Sequence, residues 1–351
     1  MLLRHLEYLR CPLQRIPFRC EVLETEERVL NGIPEKVVRN GLLFAGEDLV
    51  YPILEGVPRL TVEAFWVYAS FLGKFCPDYA ERKKRIDALY GALIDQIRTK
   101  NASTQASFTR EWEMFDPESD KTWNLDQSEL LHRFETETGA SVSAWKGKMV
   151  LDAGCGHGML NLALAEAGVF NVGLDFSDSL TRAYIRNNSA HLLLVQGDVE
   201  FPPLVFHSFD LVHSSGVLIH TSRTELAFSC LDPLVRKGGR MSIWVYKKRK
   251  EFLHRFLNRL RNYTSAWPSG LQMLFFRGVL FPLAWTMKRL KGNPQKSSEL
   301  MVEILDWFSP RFRWEHEPEE CRSWFWKRGY QEVSIRDDNH WGFHMTGDKL
   351  V

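Results

Sequence analysis

Met149-Val-Leu-Asp-Ala-Gly-Cys-Gly-His-Gly158 runs an apolar strand straight into an acid, Asp152, and then into glycines at alternate positions, Gly154, Gly156 and Gly158. Side chains at those glycines would keep a ligand away from the main chain, and the turn calls for φ values that L-residues avoid. The next residues, Met159-Leu-Asn-Leu-Ala-Leu-Ala-Glu-Ala167, put apolar side chains on a helical stripe. A glycine loop between a strand and a helix is where open α/β sheets bind nucleotide-like ligands. The spacing is not the G-x-G-x-x-G of a dinucleotide turn, and an acid ahead of the first glycine sits badly beside a pyrophosphate.

Four further strands follow in order. Asn171-Val-Gly-Leu-Asp175 ends in an acid, and Leu192-Leu-Leu-Val-Gln-Gly-Asp198 ends in Gly-Asp. Phe209-Asp-Leu-Val-His-Ser-Ser-Gly-Val-Leu-Ile-His-Thr221 reads as a strand and its turn, and Gly238-Gly-Arg-Met-Ser-Ile-Trp-Val-Tyr246 as a fifth strand. This ordered set resembles the class I S-adenosylmethionine (SAM) methyltransferases, in particular the small-molecule group that includes quinone methylases. The resemblance implies an α/β fold: a Rossmann-like seven-stranded sheet, mostly parallel with its last strand antiparallel, and SAM as cofactor. It further implies close main-chain approach at Asp152, Ala153, Gly154, Gly156 and Gly158. Asp175 would take the ribose hydroxyls with Phe176 and Ser177 beside it, Asp198 and Val199 would meet the adenine, and Ser214 would lie near the methyl donor. Ser177 also stands where it could cap the next helix. Cys155 and His157 contribute size and backbone.

Composition bounds the rest. A chain of 351 residues exceeds one typical domain. Its 12 Trp and 23 Phe can build a core or line a pocket for a flat, greasy molecule. With 45 basic against 44 acidic residues there is no global field to draw in nucleic acid. No stretch of about 20 apolar residues suggests a membrane span, and no secretory h-region opens the chain, so a cytoplasmic place is expected. Cys11, Cys20, Cys76, Cys155, Cys230 and Cys321 include no C-x-x-C pair, which argues against a disulfide framework or an intact zinc site.

Residues 1–62 read as a small β-rich unit that resembles the zinc-ribbon activators of tRNA and protein methyltransferases. That family opens with C-P-x-C, whereas Cys11-Pro-Leu-Gln14 lacks the second thiol, so a ribbon without metal is expected. Residues 63–146 read as helices and a cofactor lid. Phe65, Trp66, Ile86, Leu89, Leu93, Ile94 and Ile97 carry the helical spacing, and Phe108, Trp112 and Phe115 resemble the group's lid segment. Trp112 is the candidate cofactor cover, with plain helix packing as the alternative. Residues 147–246 form the SAM-binding core.

Residues 247–300 read as a helical insertion after the fifth strand, where such enzymes build substrate lids. Lys247-Lys-Arg-Lys250 opens it, and seven Lys or Arg face one Glu between Lys247 and Arg261. Three readings stay open: a hairpin packed on the core or on a twin subunit, a pocket for a hydrophobic acceptor, and a surface helix on anionic lipid across 247–290. Residues 301–351 complete the sheet with a helix and a strand hairpin. Before them Asp306-Trp-Phe-Ser-Pro-Arg-Phe-Arg-Trp314 reads as an aromatic loop in which Arg311 and Arg313 are candidates for an acidic group on the substrate. Methyl transfer to a hydroxyl, thiol or ammonium needs a base, and His220, just after the fourth strand, is the first candidate, with His213 second. The expected activity is methyl transfer from SAM to a small aromatic or lipid-like acceptor. The alternatives are a tRNA or protein methyltransferase and a catalytically silent SAM-binding module.

Overall fold

A computed structural model describes residues 1–114, 127–292 and 296–350, the side chains of residues 102–114 and 127 excepted. The chain begins with an antiparallel meander of four strands: β1 (Arg19–Leu30), β2 (Ile33–Ala45), β3 (Leu49–Leu54) and β4 (Val57–Pro58). Asn31 and Gly32 join the first two at φ values of 51° and 78°, as a two-residue hairpin turn requires. Helices Ala64–Val67, Ala69–Phe75, Tyr79–Met114 and Gln127–Thr138 lead into the larger sheet. On the longest of these Ile86, Ile94 and Ile97 are buried, while Leu89 and Leu93 of the expected stripe face outward.

The larger sheet contains β5 (Met149–Ala153), β6 (Phe170–Asp175), β7 (Leu192–Gln196), β8 (Phe209–Ser215), β9 (Val235–Lys247), the short β10 (Glu315–His316), β11 (Tyr330–Asp338) and β12 (Gly342–Lys349). Its order is β11-β12-β9-β8-β5-β6-β7, with β10 beside β9. β5 to β9 run parallel, and β12 runs antiparallel to both β9 and β11. This is the expected mixed sheet, with one short additional strand. Helices Met159–Glu166, Leu180–Arg186 and Thr224–Leu231 make the crossovers and cover its faces, which is why β5 and β7 are apolar on both sides. β9 already begins at Val235, ahead of Gly238 and Gly239, and a shifted register against β8 absorbs the glycines.

Lys247 to Lys250, expected to open a helix, finish β9 and a connector, and the helix begins at Phe252. The insertion consists of helices Phe252–Thr264, Ser269–Phe275 and Phe281–Leu290, and the last two are joined by a π-turn over Phe276–Leu280. The wide turn sits just ahead of Pro282, which has no amide to give. The first half of the expected aromatic loop is helical, because Asp306, Trp307 and Phe308 end the helix Ser297–Phe308. Phe276, Leu300, Ile304, Leu305 and Phe308 form a cluster separate from the main core.

The N-terminal meander packs onto the main core. Leu60 donates its N–H to the Gln196 carbonyl at 2.7 Å, and Asn31 donates its N–H to that of Asn188 at 2.8 Å. Arg59, 5% exposed, donates to Thr181 Oγ1 at 2.7 Å and to Asp178 Oδ1 at 3.3 Å. Hydrogen bonds involving a buried charge contribute about 1.5–3 kcal/mol. Arg59→Ala should lower unfolding free energy by about that amount, as a shifted midpoint in urea; an unchanged midpoint would show that the two units dock without it.

Candidate functional site

The carboxyl ends of β5, β6, β7 and β8 open on one cavity of about 1540 Å³, the place an open parallel sheet offers a ligand. Gly154 turns there at φ 90°, and a Cβ at that position would fall 2.1 Å from Val217 Cγ2, so the loop admits no larger residue. The Gly156 N–H donates to Asp175 Oδ2 at 2.8 Å. Asp175 Oδ1 accepts the Ser177 N–H at 2.8 Å and the Ser177 hydroxyl at 2.6 Å. Burial raises the Asp175 carboxyl pKa above its usual range, and these donors pull it back. Ser177 therefore serves Asp175 instead of capping the helix Leu180–Arg186, whose N-cap position is Ser179.

Asp198, at the end of the next strand, accepts the Glu200 N–H on Oδ1 and the Asn101 amide on Oδ2, each at 2.8 Å. Burial raises its carboxyl too. Asp152 is pushed up to about 6 by burial, opposed by the nearby His213. Three acids with raised pKa values on one cavity suit a ligand that brings hydroxyl and amino donors.

Asp152, Gly154, Gly156, Asp175, Phe176, Asp198, Val199 and His220 all line this cavity. Ala153 is buried within β5, Ser177 stands behind Asp175, and Gly158 caps the helix Met159–Glu166 at φ 74°. Ser214 turns inward and donates its hydroxyl to the Ala153 carbonyl at 2.8 Å, while Ser215 and Gly216 face the cavity in its place. Trp112 falls within the helix Tyr79–Met114, and its side chain lies outside the described residues, as does Phe115 altogether.

Beyond the ends of β8 and β9 the cavity gains apolar walls from Leu253, Leu257, Leu280, Leu283, Ala284 and Met287 of the insertion and from Trp307 and Phe308, with Arg249, Glu251, His254, Lys288 and Glu303 among them. His220 lies between the two halves. Its Nδ1 is 2.9 Å from the Phe312 carbonyl, which can only accept, so Nδ1 carries the proton and Nε2 the lone pair. Burial lowers the His220 pKa to about 3. Asp306 Oδ1 lies 4.0 Å from Nε2, Asp306 Oδ2 accepts the Tyr246 hydroxyl at 3.2 Å, and burial raises this carboxyl to about 6. Arg313, a candidate for the substrate in the sequence, is occupied internally: it lies 3.7 Å over the Tyr246 ring and pairs with Glu315 at 2.8 Å. Arg311 sits by the Phe312 ring.

Asn101, Glu137, Tyr246 and Asp306 also line the cavity and went unnoticed in the sequence. Asp306 was hidden inside a run read as loop. Asn101 and Glu137 sit on helices whose local pattern carries no sign of what the sheet brings to them.

Residues 151–243 match a family described as a methyltransferase domain. The chain is 29% identical over 99 residues to a ubiquinone biosynthesis O-methyltransferase of Coxiella burnetii, covering 27% of this chain and 42% of that one. It is 28% identical over 169 residues to a demethylmenaquinone methyltransferase of Beutenbergia cavernae, covering 48% of this chain and 62% of that one. It thus spans 42% to 62% of the length of these curated relatives. The solved magnesium protoporphyrin IX methyltransferase of Synechocystis with bound SAM aligns over 71% of this chain and 97% of its own, at 14% identity and a TM-score of 0.42. Residues 151–243 are thus similar to a methyltransferase domain.

A histidine with a pKa near 6.5 unfolded and about 3 folded binds more protons in the unfolded state between those values. Stability it lends at neutral pH is therefore lost as pH falls below 6.5. From pH 7 to pH 5 the loss through His220 should be about 2 kcal/mol. The stability difference between the native protein and His220→Gln should change by that amount, in the sense that the native protein loses more. Parallel urea midpoints across that range would show that His220 does not titrate this way.

Proposed function

We propose that the chain transfers the methyl group of SAM to a hydrophobic small-molecule acceptor. The observation that carries this reading is the continuity of one cavity from the glycine loop and strand-end acids to the apolar faces of the insertion. In this reading Asp175 accepts the ribose hydroxyls, Asp198 with Val199 receives the adenine, and the loop Gly154 to Gly158 brings its main chain against the amino acid portion. Phe176 adds an apolar wall. Quinone-pathway relatives favour an aromatic acceptor with a greasy tail.

The transfer is an in-line displacement: an acceptor electron pair forms the new bond to carbon as the carbon–sulfur bond breaks, and the neutral thioether leaves. A hydroxyl acceptor also gives up a proton. His220 and Asp306 are the proposed receivers, with Asp306 the stronger base because its pKa, about 6, lies closer to neutral than that of His220, about 3. The N-terminal meander is proposed as a zinc ribbon that has lost its metal. Cys11 is fully buried, accepts the Gln14 N–H at 3.4 Å and lies 3.7 Å from the Tyr51 hydroxyl.

The acceptor is proposed to arrive from an anionic membrane surface. Among the described residues no helix is long and apolar enough to cross a membrane. The insertion nevertheless leaves Phe252 80% exposed, Leu274 71% and Leu290 83%, next to exposed Lys250, Arg255, Arg259, Arg277 and Arg289. Leu283 and Met287 belong to both this surface and the cavity lining, so a lipid-dissolved molecule would enter at the contact.

Asp175→Ala should weaken SAM binding by about a hundredfold, the worth of two charge-assisted hydrogen bonds; unchanged affinity by calorimetry sinks the ribose assignment. Release of S-adenosylhomocysteine in a screen of quinols, phenols and lipids tests the activity itself, and no turnover on any of them counts against it. In flotation, the protein should bind vesicles rich in phosphatidylserine at low salt and neutral vesicles far less. Phe252→Ser with Phe256→Ser should lower that binding at least about tenfold, and equal binding to both vesicle types would remove the membrane from the proposal.

A further inference from the structure

Glu137, His213 and His344 meet in the wall between the sheet and the helix Gln127–Thr138. Among the described residues they are the one group of three or more His, Cys, Asp or Glu whose ligand atoms all lie within 4.8 Å of one another. All three are buried. His213 Nε2 is 3.3 Å from Glu137 Oε2, and His344 Nδ1 is 3.5 Å from Glu137 Oε1. The two rings stack at 5.6 Å between centroids, 12° from parallel.

The other nitrogen of each ring meets a single hydroxyl. Ser242 Oγ is 2.7 Å from His344 Nε2 and 3.4 Å from His213 Nδ1, and it donates to the main-chain carbonyl of Glu137 at 3.1 Å. A carbonyl only accepts and a hydroxyl has one hydrogen, so Ser242 gives its hydrogen there and both rings donate to it. The lone pairs of His213 Nε2 and His344 Nδ1 are thereby turned on the Glu137 carboxylate. His344 Nδ1, on a fully buried residue, makes no hydrogen bond.

Two lone pairs aimed at a carboxylate repel it unless a cation lies between. Protons at both sites would set two imidazolium ions face to face, and Arg133 already pairs with Glu137 at 2.6 Å, so any cation placed here shares the carboxylate with that guanidinium. A single proton leaves the other lone pair opposed. One divalent ion satisfies all three groups. His213 Nε2 and His344 Nδ1 stand 3.3 and 3.5 Å from different oxygens of one carboxylate, and a ligand atom from each of the three residues lies within 4.8 Å of the others. The donor set of two imidazoles and a carboxylate suits zinc-class ions, and Ser242 holds both rings in the ligating tautomer, as an outer-shell partner does.

We propose that Glu137, His213 and His344 bind a divalent transition-metal ion of the zinc class, with a fourth position facing the cavity that Glu137 and His213 line. Binding does not depend on the methyl-transfer reading. Only the role of the fourth position does, where water or an acceptor oxygen would complete the tetrahedron.

The test is titration of the full-length protein, stripped with EDTA, with zinc chloride by calorimetry and with cobalt chloride by visible absorption. One equivalent should bind with sub-micromolar affinity, and the cobalt form should show the intense bands of a four-coordinate site. His344→Ala and Glu137→Gln should weaken binding at least a hundredfold, and Ser242→Ala, which keeps all three ligands, by about 10–100-fold. His220→Gln should bind as the native protein does. If folded native protein takes up neither ion, the proposal fails whatever the variants do. It fails equally if His344→Ala keeps a full equivalent. Both readouts are independent of SAM and of turnover, so neither outcome decides the proposed activity.

Discussion

The carboxylate of Asp175 joins the two halves of the candidate cofactor site. One oxygen takes the Gly156 N–H and the other takes both donors of Ser177. Ser177 meets the Ser179 hydroxyl at 2.7 Å, and Ser179 donates to the Gly156 carbonyl at 2.9 Å. The glycine loop after β5 and the turn after β6 are thus tied at two points, by Gly156 N–H to Asp175 and by Ser179 to the Gly156 carbonyl. A loop held this way has lost its conformational freedom before any ligand arrives, so binding need not supply the ordering. The lone pairs that Asp175 keeps are then directed into the cavity by the fold.

Away from this loop the cavity changes character. On the sheet side its walls carry acids and main chain, and on the insertion side leucines, a methionine and aromatic rings stand among Glu251, His254 and Lys288. The insertion gathers around Phe276 in its own apolar cluster, apart from the core under the sheet. Each side can therefore be remodelled without disturbing the other. His220, Tyr246 and Asp306 lie at the junction, where burial moves their proton affinities far from their solution values.

The parallel strands were legible because strands buried on both faces leave uninterrupted apolar runs, as in Leu192-Leu-Leu-Val195, and because the acids come at their ends. The glycine loop was legible because close backbone approach restricts residue choice. Other features depend on long-range contacts that no local pattern encodes. Asn101 reaches Asp198 across 97 residues, and Ser242 draws His213 and His344 together from two strands. Ser214 and Ser215 alternate faces of one strand, so an error of one position exchanges cavity for interior. The basic run at Lys247 to Lys250 suggested a helix by composition, yet pairing with β10 extends β9 through Lys247.

The meander at the front of the chain lies along β7, held by Asn31 at Asn188 and by Leu60 at Gln196. β7 ends the order of the larger sheet on that side, and an uncovered border strand is a template for unwanted pairing with other chains. The meander therefore acts as a flank guard, and removing it would expose a ready-made adhesive margin at the cost of solubility.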